Sequence, residues 1–170
     1  SHTEQLEWNA LAKTVKSKRL PADGSCHISG YNLFMSAYHG LACIGDERIP
    51  EPKPLPSFPV IQLDNPSATR INTAHLQLSF KIIGDQIPDI QMIVAKIQLT
   101  PPGFKSHRGR FRNYIGTSTD DNHVSFIIHD YRTVSGLDLN EYQVHLKHFL
   151  IDADCGHRSK EISQALKVRI

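Results

Sequence analysis

Cys26 stands two residues after an Asp23-Gly24 turn and just ahead of an aromatic-bearing stretch, in "DGSCHISGYNLF". A thiol at the mouth of a helix has its pKa lowered by the helix dipole, and such a thiolate can attack a carbonyl. Here the first residue fit to cap a helix is Ser29, three positions beyond, which puts Cys26 in the loop. The ten histidines invite a search for metal ligands. His145 and His148 are three apart, so on a strand they face opposite ways. His123 and His129 share a face but lie about 20 Å apart at strand rise. Cys155-x-His157 has no second Cys/His pair at zinc spacing, so no metal and no cofactor is expected, and the histidines should be solvated. Asp120-Asp121 and Asp152/Asp154 fall in turns, where Asp bonds its own backbone.

The densest charge lies in "KSHRGRFRNY", residues 105–114. Lys105, Arg108, Arg110 and Arg112 occur there without an acid, and Phe111 and Tyr114 are interleaved. Such a loop can meet an acidic surface of another subunit, or grip phosphates while stacking bases. Overall the chain carries 19 basic and 17 acidic residues, and a net +2 is too small to demand a polyanion. Residues 1–57 balance at six and six, so the whole excess falls in 58–170.

The elements that must position these groups follow from periodicity. With 170 residues, 39% of them hydrophobic, the chain can bury a real core. No run approaches the roughly 20 apolar residues of a membrane span, and the start lacks the basic-then-apolar pattern of a signal peptide. Three cysteines, Cys26, Cys43 and Cys155, leave at most one internal bridge open.

Residues 3–19 place Trp8, Leu11, Ala12 and Val15 on one helical face, with Thr3 as cap and Lys16, Lys18 and Arg19 in the last turn. A second helix from Gly30 to Ile44 carries the stripe Leu33, Phe34, Ala37, Tyr38 and Leu41, capped by Ser29 and ended at Gly45. Tyr31 and Phe34 are expected to decide what this helical head packs against. Five prolines in residues 50–59 then predict an extended strut that neither helix nor inner strand absorbs.

From Val60 onward the period is two. Leu76, Leu78, Phe80 and Ile82 alternate with polar residues, as do Ile93, Ala95, Ile97 and Leu99, then Val124, Phe126 and Ile128, then Tyr142, Val144 and Leu146, with Leu166, Val168 and Ile170 last. Turn residues separate the runs, which predicts an antiparallel β-sandwich. The expected organisation is a helical head at 1–48, a Pro-rich linker at 49–59 and a sandwich at 60–170.

Residues 136–170 resemble the last hairpin of a fibronectin type III or similar immunoglobulin-like domain, through Leu137, Tyr142, Val144, Leu146, Gly156, Ser159 and Val168. The resemblance implies a mainly β, immunoglobulin/fibronectin III-like sandwich in which Tyr142 makes the corner hydrogen bond, and Phe80 stands where the family has its tryptophan. "WNALA", "GYNLF" and the Pro-rich stretch look like the opening of bacterial and phage-associated proteins with a helical head before such a sandwich. That pattern implies no enzymatic activity. Asp23-Gly24-Ser25-Cys26 also resembles the nucleophile motif of OTU-type deubiquitinating proteases, although His27-Ile28-Ser29-Gly30 replace the apolar and aromatic residues that follow the cysteine there.

The expected function is therefore a non-enzymatic structural or binding module. It would assemble with protein subunits, self or other, on a virion-like particle or an extracellular surface. Lys105, Arg108, Arg110, Phe111, Arg112, Tyr31 and Phe34 are the candidate partner-binding residues. The alternatives are a thiol hydrolase using Cys26 and nucleic-acid binding through the 105–112 loop.

Overall fold

The computed structural model describes residues 1–16, 27–120, 122–132 and 139–170. Among them the chain is mainly β, with two helices and eight strands in two sheets. It divides into two compact units, Ser1–Ser57 with Ile151–Arg158, and Phe58–Leu150 with Ser159–Ile170.

The first unit is built on α1 (His2–Ala12) and α2 (Gly30–Cys43). Ser1, not Thr3, caps α1: its hydroxyl accepts from the Glu4 N–H while the Glu4 carboxylate takes the Ser1 amine, a reciprocal capping box. The helix is shorter than the 3–19 read from periodicity. Thr14 turns its hydroxyl onto the Leu11 carbonyl at 2.7 Å, its N–H bonds the same oxygen, and the helical ladder stops there. Lys16 instead bridges to His27, and Lys18 and Arg19 lie outside the described residues. α2 matches its expectation, with the Ser29 hydroxyl accepting from the Asn32 N–H and Gly45 at φ 77° leaving the helix. Trp8 and Ala12 of α1 bury against Leu33 and Ala37 of α2, with Leu11, Val15, Ile28 and Phe34 half-covered around them.

The turn 151–158 belongs to this unit because α2 comes to it backbone on backbone. A Cβ on Gly40 would overlap the Gly156 carbonyl, and one on Gly156, at φ +76°, would overlap the Ala37 carbonyl. The proline-rich segment forms no helix or strand, and its first part is tied to that turn. Arg48 Nη2 donates to the Ala153 carbonyl at 2.8 Å, Lys53 Nζ lies 2.9 Å from Asp154, and His157 Nε2 is 3.1 Å from the Lys53 carbonyl oxygen.

The second unit contains β1 (Ile61–Arg70), β2 (Leu76–Gly84), β3 (Gln91–Thr100), β4 (Arg112–Ile115), β5 (Thr117–Asp120), β6 (His123–Ile128), β7 (Glu141–Asp152, its last two residues counted with the first unit) and β8 (Ile162–Arg169). The sheets run β1-β2-β6-β5 and β4-β3-β7-β8. β4 and β5 are separated only by Gly116, where the chain leaves one sheet for the other. The Gly116 N–H still reaches the Ile93 carbonyl at 2.8 Å, and a Cβ there would press on Val124. The core takes residues from both sheets: Leu76, Leu78, Phe80, Val124, Phe126 and Ile128 from one, Ala95, Ile97, Leu99, Tyr142, Val144 and Leu146 from the other. These are the alternating positions read from the sequence. Phe80 meets Phe126 edge to face with centroids 6.0 Å apart. β3 and the end of β7 are covered on both faces, so Val94, Gln98 and Phe149 are buried as well.

Candidate binding surface

In the β4-β3-β7-β8 sheet, the positions between the core residues look outward. On β7 and β8 they form the cross-strand pairs Gln143 with Lys167, His145 with Ala165 and Lys147 with Ser163. The connection from β3 to β4, residues 101–111, is fastened to this face. The His107 N–H donates to Gln98 Oε1 at 2.8 Å. His145 Nε2 lies 2.9 Å from Thr100 Oγ1 and 3.2 Å from the Phe104 carbonyl oxygen, and facing a carbonyl it carries the ring proton. Lys147 Nζ sits 4.8 Å from the centre of the Phe111 ring. A short 3-10 turn, Arg108–Arg110, leads into β4.

Pinned this way, the loop keeps Lys105, Arg108, Arg110 and Arg112 exposed, and none of the four meets a carboxylate among the described residues. The acids nearby are spent. Glu161 takes Lys96 at 2.8 Å, and Glu141 takes Arg169 at 2.8 Å, which holds the Glu141 carboxyl below its ordinary pKa. Between loop and sheet runs a cleft of about 300 Å³ lined by Ser106, Phe111, His145, Lys147, Ser163 and Ala165. The sequence singled out Phe111 and the cations. It missed Gln98, Thr100 and Lys147, whose signal was their position on the polar phase of β3 and β7, and it read His145 only as a solvated histidine.

Tyr114 turns away from this surface. It pairs with Ala95 on the core side of the sheet, and burial pushes its hydroxyl pKa up. Of the other two candidates, Tyr31 is 69% exposed while Phe34 packs edge-on against Trp8 with centroids 5.6 Å apart. Both line a groove of about 510 Å³ with Trp8, Asn9, Ile49 and Pro50. Cys26 lies outside the described residues.

The expectation of solvated histidines fails at His148 and His157, which are buried, and in part at His145. His148 Nε2 is 3.2 Å from the Ile61 carbonyl oxygen, while Nδ1 has no hydrogen-bond partner. Burial pulls all three imidazoles below their ordinary pKa, against the opposing pull of the carbonyls they face. Asp152 acts as a turn former: its Oδ1 accepts from the Asp154 and Cys155 N–H groups and from the Cys155 thiol. Burial first, with Asp152 adding to it, pushes the Cys155 thiol up to about 11, so Cys155 is a packed group without thiolate character. Among the described residues, no three His, Cys, Asp or Glu side chains gather as metal ligands, and Cys43 and Cys155 are free thiols. No described helix is long and apolar enough to cross a membrane.

No protein-family model and no curated protein matches this chain. Among solved structures it is similar to catalytically inactive OgpA from Akkermansia muciniphila in complex with an O-glycopeptide substrate. That match has 12% identity over 86% of this chain, with a TM-score of 0.41, and the chain spans only 38% of that structure's length. It is also similar to AggA, the major subunit of aggregative adherence fimbriae type I from Escherichia coli, at 12% identity over 65% of this chain and 93% of that one, TM-score 0.31. A further structure from aggregative adherence fimbriae of enteroaggregative Escherichia coli is 14% identical over 66% of this chain and 99% of that one, TM-score 0.28. At these scores the likenesses decide neither fold type nor function.

Proposed function

We propose that this chain is a non-enzymatic binding module, an immunoglobulin-like sandwich carrying a small helical unit, which assembles with other protein subunits through its cationic loop. The immunoglobulin-like reading is supported by the two four-stranded sheets, by the switch of sheet at Gly116, and by the tyrosine at the start of β7. The Tyr142 hydroxyl accepts from the Leu139 N–H at 2.8 Å, just upstream, as a tyrosine corner does.

The observation that carries the functional reading is the pinned loop. A connection that served only to join β3 to β4 would need neither the buried Gln98 nor the half-buried His145 bonded to it. Holding four cations outward without carboxylates costs self-repulsion, and an acidic partner relieves it. Arg108 and Arg110 replaced together by Glu should not lower the melting temperature, since the self-repulsion falls, and should remove the salt-sensitive partners retained on the immobilised chain, identified by mass spectrometry. The same partners retained on both proteins would sink this reading. Retention of nucleic acid in place of protein would do the same.

A further inference from the structure

We propose that the cleft beneath the loop seats an extended acidic segment of a protein partner, laid along β8 with one carboxylate on Lys147. The inference rests on the reading of the loop face as the partner-binding surface and names what that surface takes.

The floor of the cleft is shaped for a thin, extended chain. Ser163 and Ala165 are the small outward residues of β8, and the loop, through Ser106 and Phe111, forms the wall beside them. The charges follow the strand. Lys147 stands at the level of Ser163, and Lys167 stands four residues further along β8, so the two ammonium groups are spaced by about 13 Å of strand rise. An extended segment offers side chains on one face every second residue, so acids at positions i and i+4 reach both cations. Lys105, Arg108 and Arg110 stand on the loop above the floor, and Lys167 is exposed with no carboxylate in ion-pair contact. Glu141, the carboxylate on the neighbouring outward pair, is already engaged by Arg169. The two acids at the ends of this face, Glu161 and Glu141, are each held by a cation, so an acidic segment laid between them meets Lys147 and Lys167.

The aromatic groups favour a protein segment over nucleic acid. Binding of single strands uses exposed aromatic faces on which bases stack. Here the Phe111 ring holds the Lys147 ammonium and Tyr114 packs toward the core, so Phe104 is the one exposed phenyl face left on the loop, too few for successive bases to stack but enough for apolar contact with one partner residue.

The test uses the whole isotope-labelled chain and a synthetic peptide of about eight residues alternating Glu and Thr, short enough to span the cleft at strand rise. Heparin and oligo-dT serve as parallel probes. The expected result is saturable, salt-sensitive binding of the peptide, with amide shifts at His145, Lys147, Ser163 and Ala165. Affinity should fall at least about tenfold in Ser163→Glu, which puts a carboxylate on the floor, and in Lys147→Ala. Ser163 is exposed, so an unchanged circular dichroism melt will accompany its variant. Peptide binding indifferent to both substitutions, or absent, overturns the seat. Tighter binding of heparin or oligo-dT through the same residues overturns the protein ligand. The general reading fails separately, if Arg108→Glu/Arg110→Glu leaves the retained partners unchanged.

Discussion

Burial favours the neutral forms of Cys155, His148 and His157, and this sets what each can do. Cys155 keeps its proton because burial and the Asp152 carboxylate both oppose a thiolate, which places its pKa at about 11. Labelling with iodoacetamide at pH 8 should therefore leave Cys155 almost unmodified in the folded chain while the half-exposed Cys43 reacts, as read by peptide mass spectrometry. Fast labelling of Cys155 would contradict its burial. His148 gives the pH dependence its sign. Its folded pKa lies below the ordinary 6.5, and burial is the dominant cause, so the unfolded chain binds the proton more readily. Stability is then complete above about pH 6.5 and declines as the pH falls toward the folded pKa, at about 1.4 kcal/mol per unit of depression. His145 and His157 act in the same direction. Urea unfolding at successive pH values should show this decline, and His148→Leu should flatten part of it. A flat profile in the parent chain would refute the neutral, buried imidazole.

Among the elements, the long alternating strands were legible in the sequence because their period binds them to one core. β2, β3, β6, β7 and β8 bury the phase that was read. β1 and the short β4 and β5 were not legible. β1 is interrupted by Asn65, at φ 48°, and Pro66, where its register against β2 shifts, while β4 and β5 have four residues each and Gly116 between them. A hydrogen bond at the Tyr142 hydroxyl was expected from a resemblance, the hydroxyl does accept from the Leu139 N–H, and the energetic weight of that bond can be measured. Tyr142→Phe removes the acceptor of the Leu139 N–H and should cost about 1 kcal/mol in denaturant unfolding without altering the fold. No loss would mean that the hydroxyl bond does not stabilise the start of β7. Gly40 had no sequence signal at all, because what it accommodates is more than a hundred residues away. Gly40→Ala sets a methyl against the Gly156 carbonyl and should destabilise the first unit by about 1–3 kcal/mol. A neutral effect would show that the helix and the turn are not in backbone contact.

At the scale of the whole molecule, the sequence suggested a head that ends before the prolines, since composition and period change there. The chain instead sends residues 151–158 back to complete the first unit, and a period count along the sequence has no means of showing a return over that distance. Its consequence is testable. A fragment ending at Ser57 keeps both helices and the contact of Trp8 with Phe34. It loses Gly156 against α2, the Asp154 partner of Lys53, the Ala153 carbonyl that receives Arg48, and His157, whose ring meets Trp8 with centroids 6.2 Å apart. Two helices of 11 and 14 residues bury too little surface to offset the entropy of ordering without those contacts. The fragment should show little helical circular dichroism and poorly dispersed amide resonances. Its failure would be rescued by joining residues 150–159 through a flexible linker, which restores the missing turn without the sheets. A fragment of residues 1–57 that melts cooperatively by itself would mean that the helical unit is closed by its own residues and that the turn is only an ornament on it.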